Sequence, residues 1–216
     1  MKIGVFGTGM VGSAIGSKLI QLGHEVRMGS RSATNEKAAA WVKGNRKGAS
    51  QGTFADSAAF GEILFNCTAD MGSLNALRMA GSNNLAGKIL IDISNPLDFS
   101  KGMPPTLSVC NTDSLGEQIQ RAFPQAKVVK TLNTVNCNVM VNPSLVSGDH
   151  DMFICGDDSA AKGKVTDILK KWFGWKSVID LGDITSARAM EMLLPIWLRL
   201  RMKFQTPNLN IKIAKA

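Results

Sequence analysis

Tyrosine is absent from the 216 residues, and histidine occurs only at His24 and His150. Four cysteines, Cys67, Cys110, Cys137 and Cys155, are scattered with no C-x-x-C pair. Neither residue type has the spacing of a metal-ligand set, so no metal site is expected. Without tyrosine, a base-stacking surface is not expected either. The net charge of +8 is spread along the chain. It reads as a solvated basic surface or a site for an anionic small molecule, and no nucleic-acid partner is expected. No run approaches ~20 uninterrupted apolar residues, so no membrane span is expected. The first residues, "MKIGVFG", lack the charged start, apolar run and cleavage site of a secretory signal. A cytoplasmic location with free thiols follows as the expectation.

The chain does have apolar runs and helical patterns in alternation. "KIGVFG" reads as a buried strand, "SAIGSKLIQLG" as a helix with Ile15, Leu19 and Leu22 at helical spacing, and "HEVRMGS" as a second strand. Further strands are expected in "EILFNCT", "KILIDIS", "KVVKTLNT", "DMFICG" and "KSVIDLG". Helices are expected in "NEKAAAWVKGN", "SLGEQIQRAF", with Ser114 and Glu117 at capping-box spacing, and "SAAKGKVTDILKKWFG", and a helical turn in "DSAAFG". A last helical pattern, "DITSARAMEMLLPIWLRLRMKF", should break near Pro195. Leu97 to Thr112, and the stretch from Asn136 to Asp151, read as irregular. Such alternation points to an α/β fold, a Rossmann-type doubly wound and mostly parallel sheet with a short C-terminal helical extension. We expect residues 1–183 to form the nucleotide-binding domain and 184–216 an extension and tail packing on it.

Gly7, Gly9 and Gly12 form G-x-G-x-x-G between the first strand and its helix. That context turns a weak pattern into a dinucleotide fingerprint. The first glycine permits a tight turn, the second lets backbone approach a pyrophosphate, and the third lets helix and strand pack closely. The helix start offers unpaired N–H groups to phosphate. About 20 residues on, an NAD site would place an acid against the ribose. Here Gly29 is followed by Ser30, Arg31 and Ser32. A guanidinium flanked by hydroxyls suits a 2′-phosphate, so NADP is the expected cofactor.

With "GTGMVG", "HEVRMGSR", "ICGDD" and "DLGDITSARAMEMLLPIW" in view, the chain resembles the NADP oxidoreductases dependent on the deazaflavin coenzyme F420. It is also similar to the NADPH-binding domain of the six-transmembrane metalloreductases. The resemblance runs over nearly the whole chain. It implies that Thr8, Gly9, Met10 and Val11 hold the pyrophosphate, and that Ser30 and Arg31 hold the 2′-phosphate. It implies that Cys67, Thr68 and Ala69 pass under the riboses and that Ser94, Asn95 and Pro96 lie near the nicotinamide. Backbone groups of Val135 and Cys137 would meet the carboxamide. The deazaflavin enzymes carry a His where this chain has Asn133, and a Pro where it has Asn136. Asn133, Thr134 and Asn136 would therefore line the site of the second ligand, a flavin or a deazaflavin.

Hydride transfer between two such rings needs stacking and exclusion of water more than acid–base help. No catalytic side chain is expected. A non-catalytic NADPH-binding redox sensor is the alternative reading. The apolar "MEMLLPIWLRLRM" region and the alternating tail "NLNIKIAK" suggest a homodimer.

Overall fold

The computed structural model describes residues 1–45, 47–69 and 72–215. In chain order the elements are β1 (Lys2–Phe6), α1 (Met10–Gln21), β2 (Glu25–Ser30), α2 (Glu36–Asn45), β3 (Ala49–Thr53), α3 (Phe54–Phe60) and β4 (Ile63–Asn66). Next come α4 (Gly72–Ala80), α5 (Ser82–Leu85), β5 (Ile89–Asp92), β6 (Leu97–Asp98), β7 (Thr106–Leu107), α6 (Leu115–Ala122) and β8 (Lys127–Thr131). The chain closes with α7 (Cys137–Val141), β9 (Asp151–Cys155), α8 (Ser159–Ile168), β10 (Ser177–Asp180), α9 (Ala187–Met192) and α10 (Leu194–Phe204).

Eight strands form one sheet in the order β10-β9-β8-β5-β4-β1-β2-β3. From β3 to β8 every neighbouring pair is parallel; β9 runs antiparallel to β8, and β10 runs parallel to β9. The strand order reverses between β1 and β4, and there the carboxyl ends leave a crevice. Both faces of the sheet are covered, which is why its central strands β1, β4 and β5 are largely apolar, with Asn66 and Asp92 at the carboxyl ends of β4 and β5. Alternate residues serve opposite cores. Ile3, Val5, Ile63, Phe65, Ile91 and Val129 pack with Ile15, Leu19, Val139 and Val165 of α1, α7 and α8. Phe6, Leu64, Leu90 and Val128 pack with Leu77, Leu85, Ile119 and Met190 of α4, α5, α6 and α9.

Several local expectations hold. The late helical pattern divides at Leu193, with Pro195 in the first turn of α10, where a missing N–H costs nothing. The pattern before Gly174 is α8 extended by a π-helical turn over Leu169–Phe173, and Gly174 closes it at φ 88°. Ser114 caps α6 by accepting from the Glu117 amide at 3.1 Å.

Other details differ. The polar "ASQGT" forms edge strand β3, because pairing to β2 rather than apolar content decides an edge. The segment 97–112, expected to be irregular, contains the β6–β7 hairpin, on which α10 rests through Leu194, Trp197, Leu198 and Leu97. The second irregular stretch contains α7, capped by Asn136. The alternating tail folds back on its own chain, with the Asp151 amide donating to the Ile211 carbonyl at 3.0 Å. The Ile213 amide donates to the Asp151 carboxylate at 2.7 Å.

Candidate functional site

The turn from β1 into α1 is built by close approach. Gly7 has φ 108°, and a side chain there would meet the Cys67 carbonyl at 2.7 Å. A Cβ on Gly12 would stand 2.0 Å from the Gly7 carbonyl oxygen. Gly9 differs, because a Cβ there would meet nothing within 4 Å. It faces open space and caps α1 with no side-chain bond and no acid in the first turn. The first N–H groups of Met10, Val11 and Gly12 therefore end on a groove with no competing acid in the first turn of α1. Met10 is 80% exposed beside it.

That groove is a cavity of about 810 Å³ at the β1–β4 crevice. It brings together Gly7, Thr8, Gly9, Ser30, Arg31, Cys67, Thr68 and Ala69. Arg31 is exposed and makes no hydrogen bond or ion pair among the described residues. Ser30 is buried, and its hydroxyl donates to the Ser32 carbonyl at 2.6 Å. It shapes the loop that presents Arg31, while the Ser32 hydroxyl pairs with Thr34. Asn35, Phe54, Asn75, Arg78 and Met79 also line the cavity. They belong to α3, α4 and the approach to α2, whose placement beside β2 is a tertiary matter. One signal was available, since a helix that follows β4 must start at the same crevice.

A second cluster lies at the carboxyl ends of β5 and β8, next to β4 in the sheet. Ser94, Asn95, Pro96 and the residues from Asn133 to Cys137 sit there, outside the lining of the first cavity. The Asn95 amide donates to the Asn133 carbonyl at 2.9 Å, and the Asn133 amide donates to Asn95 Oδ1 at 2.9 Å and the Met190 carbonyl at 3.1 Å. Because two of these acceptors are carbonyls, both side-chain amides have a defined orientation. Asn133 Oδ1 and Thr134 Oγ1 are left buried with no partner among the described residues. Such atoms are costly unless a ligand or water meets them. The Asn136 oxygen is engaged in capping α7, accepting from the Asn138 amide at 3.0 Å. Val135 is buried, and Cys137 is half-buried.

Below both clusters lies a group of charges with no access to solvent. Lys130 Nζ is 2.7 Å from Asp92 and 2.8 Å from Glu191, and all three side chains are at most 1% exposed. Glu191 also accepts from the Leu115 and Gly116 amides at the start of α6, at 2.9 and 3.0 Å. Asp92 accepts from Asn66 and from the Ser94 hydroxyl. Burial works to strip the Lys130 charge, but the two carboxylates override it and raise its pKa. Burial, with the Asp92 charge nearby, pushes the Cys67 thiol far up, and burial raises Cys155 to about 12 and Cys137 as well. These thiols stay protonated and are poor nucleophiles. Among the described residues no group of three or more His, Cys, Asp or Glu could hold a metal ion.

The parallel strand order β3-β2-β1-β4-β5-β8, with the glycine turn at the reversal, defines a Rossmann protein with a groove at that reversal. Residues 2–96 match the family model for NADP oxidoreductase, coenzyme F420-dependent. A crystal structure from Arthrobacter sp. FB24, described as a candidate F420-dependent NADP-reductase, is 52% identical, with TM-score 0.94 and full coverage of both chains. The F420-dependent NADP reductase of Methanocaldococcus jannaschii is 30% identical over 130 residues, 60% of this chain and 57% of that one. The metalloreductase STEAP3 of Rattus norvegicus is 30% identical over 204 residues, 91% of this chain. The chain spans 57% and 38% of the lengths of these two curated relatives. It belongs to the family of coenzyme F420-dependent NADP oxidoreductases. Among the described residues no helix is long and apolar enough to cross a membrane.

Proposed function

We propose that the chain binds NADP and catalyses hydride transfer between its nicotinamide and a ring-type acceptor, a flavin or a deazaflavin. The observation that carries this reading is the pairing of an open helix start at Gly9, with no acid in its first turn, and an Arg31 that has no partner among the described residues, in one cavity. The fit is physical. Gly9 leaves the space that a pyrophosphate needs, and the α1 amides supply donors for it. Arg31 supplies a permanent charge for the 2′-phosphate, and Ser30 stiffens its loop.

When bound, the reduced nicotinamide supplies the hydride. The chain's own residues hold and shield. The Asn95–Asn133 pair, pinned by the Met190 carbonyl, gives the β5 and β8 ends a rigid floor. Asn133 Oδ1 and Thr134 Oγ1 offer unmet polar atoms to a ligand's amide or ring groups there. The protonated cysteines favour a site that does no thiolate chemistry. Residues 1–183 act in this reading as the cofactor domain. Residues 184–216 pack on it, supported by Ile184, Ala187 and Met190 within the sheet's core. We read the chain as a homodimer through α10, whose Ile196 and Phe204 are exposed; light scattering showing a monomer would remove that part.

The test is NADPH oxidation, followed by nicotinamide absorbance, with FMN and with an F420-type deazaflavin. Turnover with either supports the reading, and turnover with neither in a single-turnover mix refutes it. Arg31→Ala should weaken NADPH about 10-fold or more while leaving NADH nearly unchanged.

A further inference from the structure

Arg78 lies in the last turn of α4 and lines the same cavity as Arg31. It is exposed, and its Nη1 donates to Asn75 Oδ1 at 3.0 Å, from one helical turn earlier. No carboxylate meets it among the described residues. That sets it apart from Arg121 and Arg188, each held by a carboxylate. Arg121 grips Asp113 with both Nη atoms, and Arg188 grips Glu117 through Nε and Nη2. Arg31 and Arg78 are the charged groups among the described residues of the lining, and both are cations. The cavity therefore has two guanidinium groups and no described carboxylate to neutralise them.

A phosphate monoester carries between one and two negative charges near neutral pH. One guanidinium offsets only part of that. A second fork, already turned by Asn75, adds directed N–H donors and loses less freedom on binding than an unheld side chain. Resting on the NADP reading, we propose that Arg78 is a second determinant of cofactor choice, meeting the 2′-phosphate from α4 while Arg31 meets it from the end of β2. Neither arginine alone then accounts for the preference for NADP over NAD. The simpler role for a cation in the last turn of α4 is to offset the helix dipole. That role would change stability and leave ligand discrimination untouched.

The experiment measures Kd for NADPH, NADH, 2′,5′-ADP and 5′-AMP on the wild-type chain, Arg78→Ala, Arg78→Lys, Arg31→Ala and the double alanine variant. Thermal unfolding of each variant checks that it is folded. Arg78→Ala should weaken NADPH and 2′,5′-ADP about 5- to 10-fold and change NADH and 5′-AMP less than about 2-fold. Lysine should recover part of the loss. The double variant should bind NADPH and NADH within a few-fold of each other, with a shallower salt dependence for NADPH. Equal losses for NADPH and NADH would place Arg78 on the adenine or the pyrophosphate and overturn the proposal. Unchanged affinity for both, with only a shift in unfolding temperature, would overturn it too. A wild-type chain that binds neither NADPH nor 2′,5′-ADP would instead remove the NADP reading on which this rests.

Discussion

Glu191→Ala should be among the most damaging single changes in the chain, although Glu191 lies outside both the glycine turn and the Ser30–Arg31 segment. The side chain is 1% exposed and does three things at once. It faces Lys130 at 2.8 Å and accepts from the Leu115 and Gly116 amides. Removing it leaves Lys130 with Asp92 as its one carboxylate and leaves two α6 amides without acceptors. Breaking a buried ion pair from one side costs about 3–5 kcal/mol, and the stranded amides keep the loss at that level unless water enters. For a chain of this size each kcal/mol lowers Tm by about 2–4 °C, so the expected drop is about 6–20 °C. Glu191→Gln keeps an acceptor and the shape, and should lose less. Calorimetry and denaturant titration at pH 7 read the difference. A loss below about 1 kcal/mol for the alanine variant would refute the reasoning, because it would mean that Lys130 does not depend on its second carboxylate. The neighbouring Met190 carbonyl holds Asn133, so under the proposed hydride transfer the same variant should also raise KM for the acceptor.

Two further outcomes follow from the geometry. Gly12→Ala puts a Cβ 2.0 Å from the Gly7 carbonyl, so the turn must open. NADPH affinity measured by calorimetry should fall about 10-fold or more while the fold persists, and an unchanged Kd would show that the turn has slack. Stability should also fall in acid. Hydrogen bonds from Arg121 hold Asp113 at a pKa of about 2, and hydrogen bonds from Arg188 hold Glu117 below its ordinary value. Depressed folded values mean that the stabilisation is complete above the unfolded values near ~4 and is lost as pH falls through the folded ones. Tm should therefore be flat down to about pH 5 and decline steeply toward pH 2, with Glu117→Gln flattening part of that decline.

Much of the site was legible because its reasons are local. Gly7, Gly9 and Gly12 follow a strand and open a helix, and that order alone makes their turn intelligible. The missing acid at Ser30 and Arg31 is visible at a known distance from the turn. The break at Pro195 follows from one ring lacking an N–H. Edge strand β3 was hidden, because "ASQGT" has no apolar pattern and owes its conformation to β2. The tail's contacts were hidden in a similar way, because its alternation does not show that Asp151 of its own chain receives it.

The sequence by itself determined the alternation of strands and helices, the glycine turn and the cation that follows β2. Each depends on residues within about 25 positions of one another, where backbone geometry and side-chain spacing are enough. Only the tertiary structure decided what lies across the groove. Arg78 reaches the cavity of Arg31 because α4 follows β4 at the point where strand order reverses. Lys130, Asp92 and Glu191 are charges within apolar runs, and they make sense only where β5, β8 and α9 meet out of reach of solvent. A buried charge is tolerable when its partners are in place, and no local pattern can supply a partner 61 residues away, as Glu191 is from Lys130.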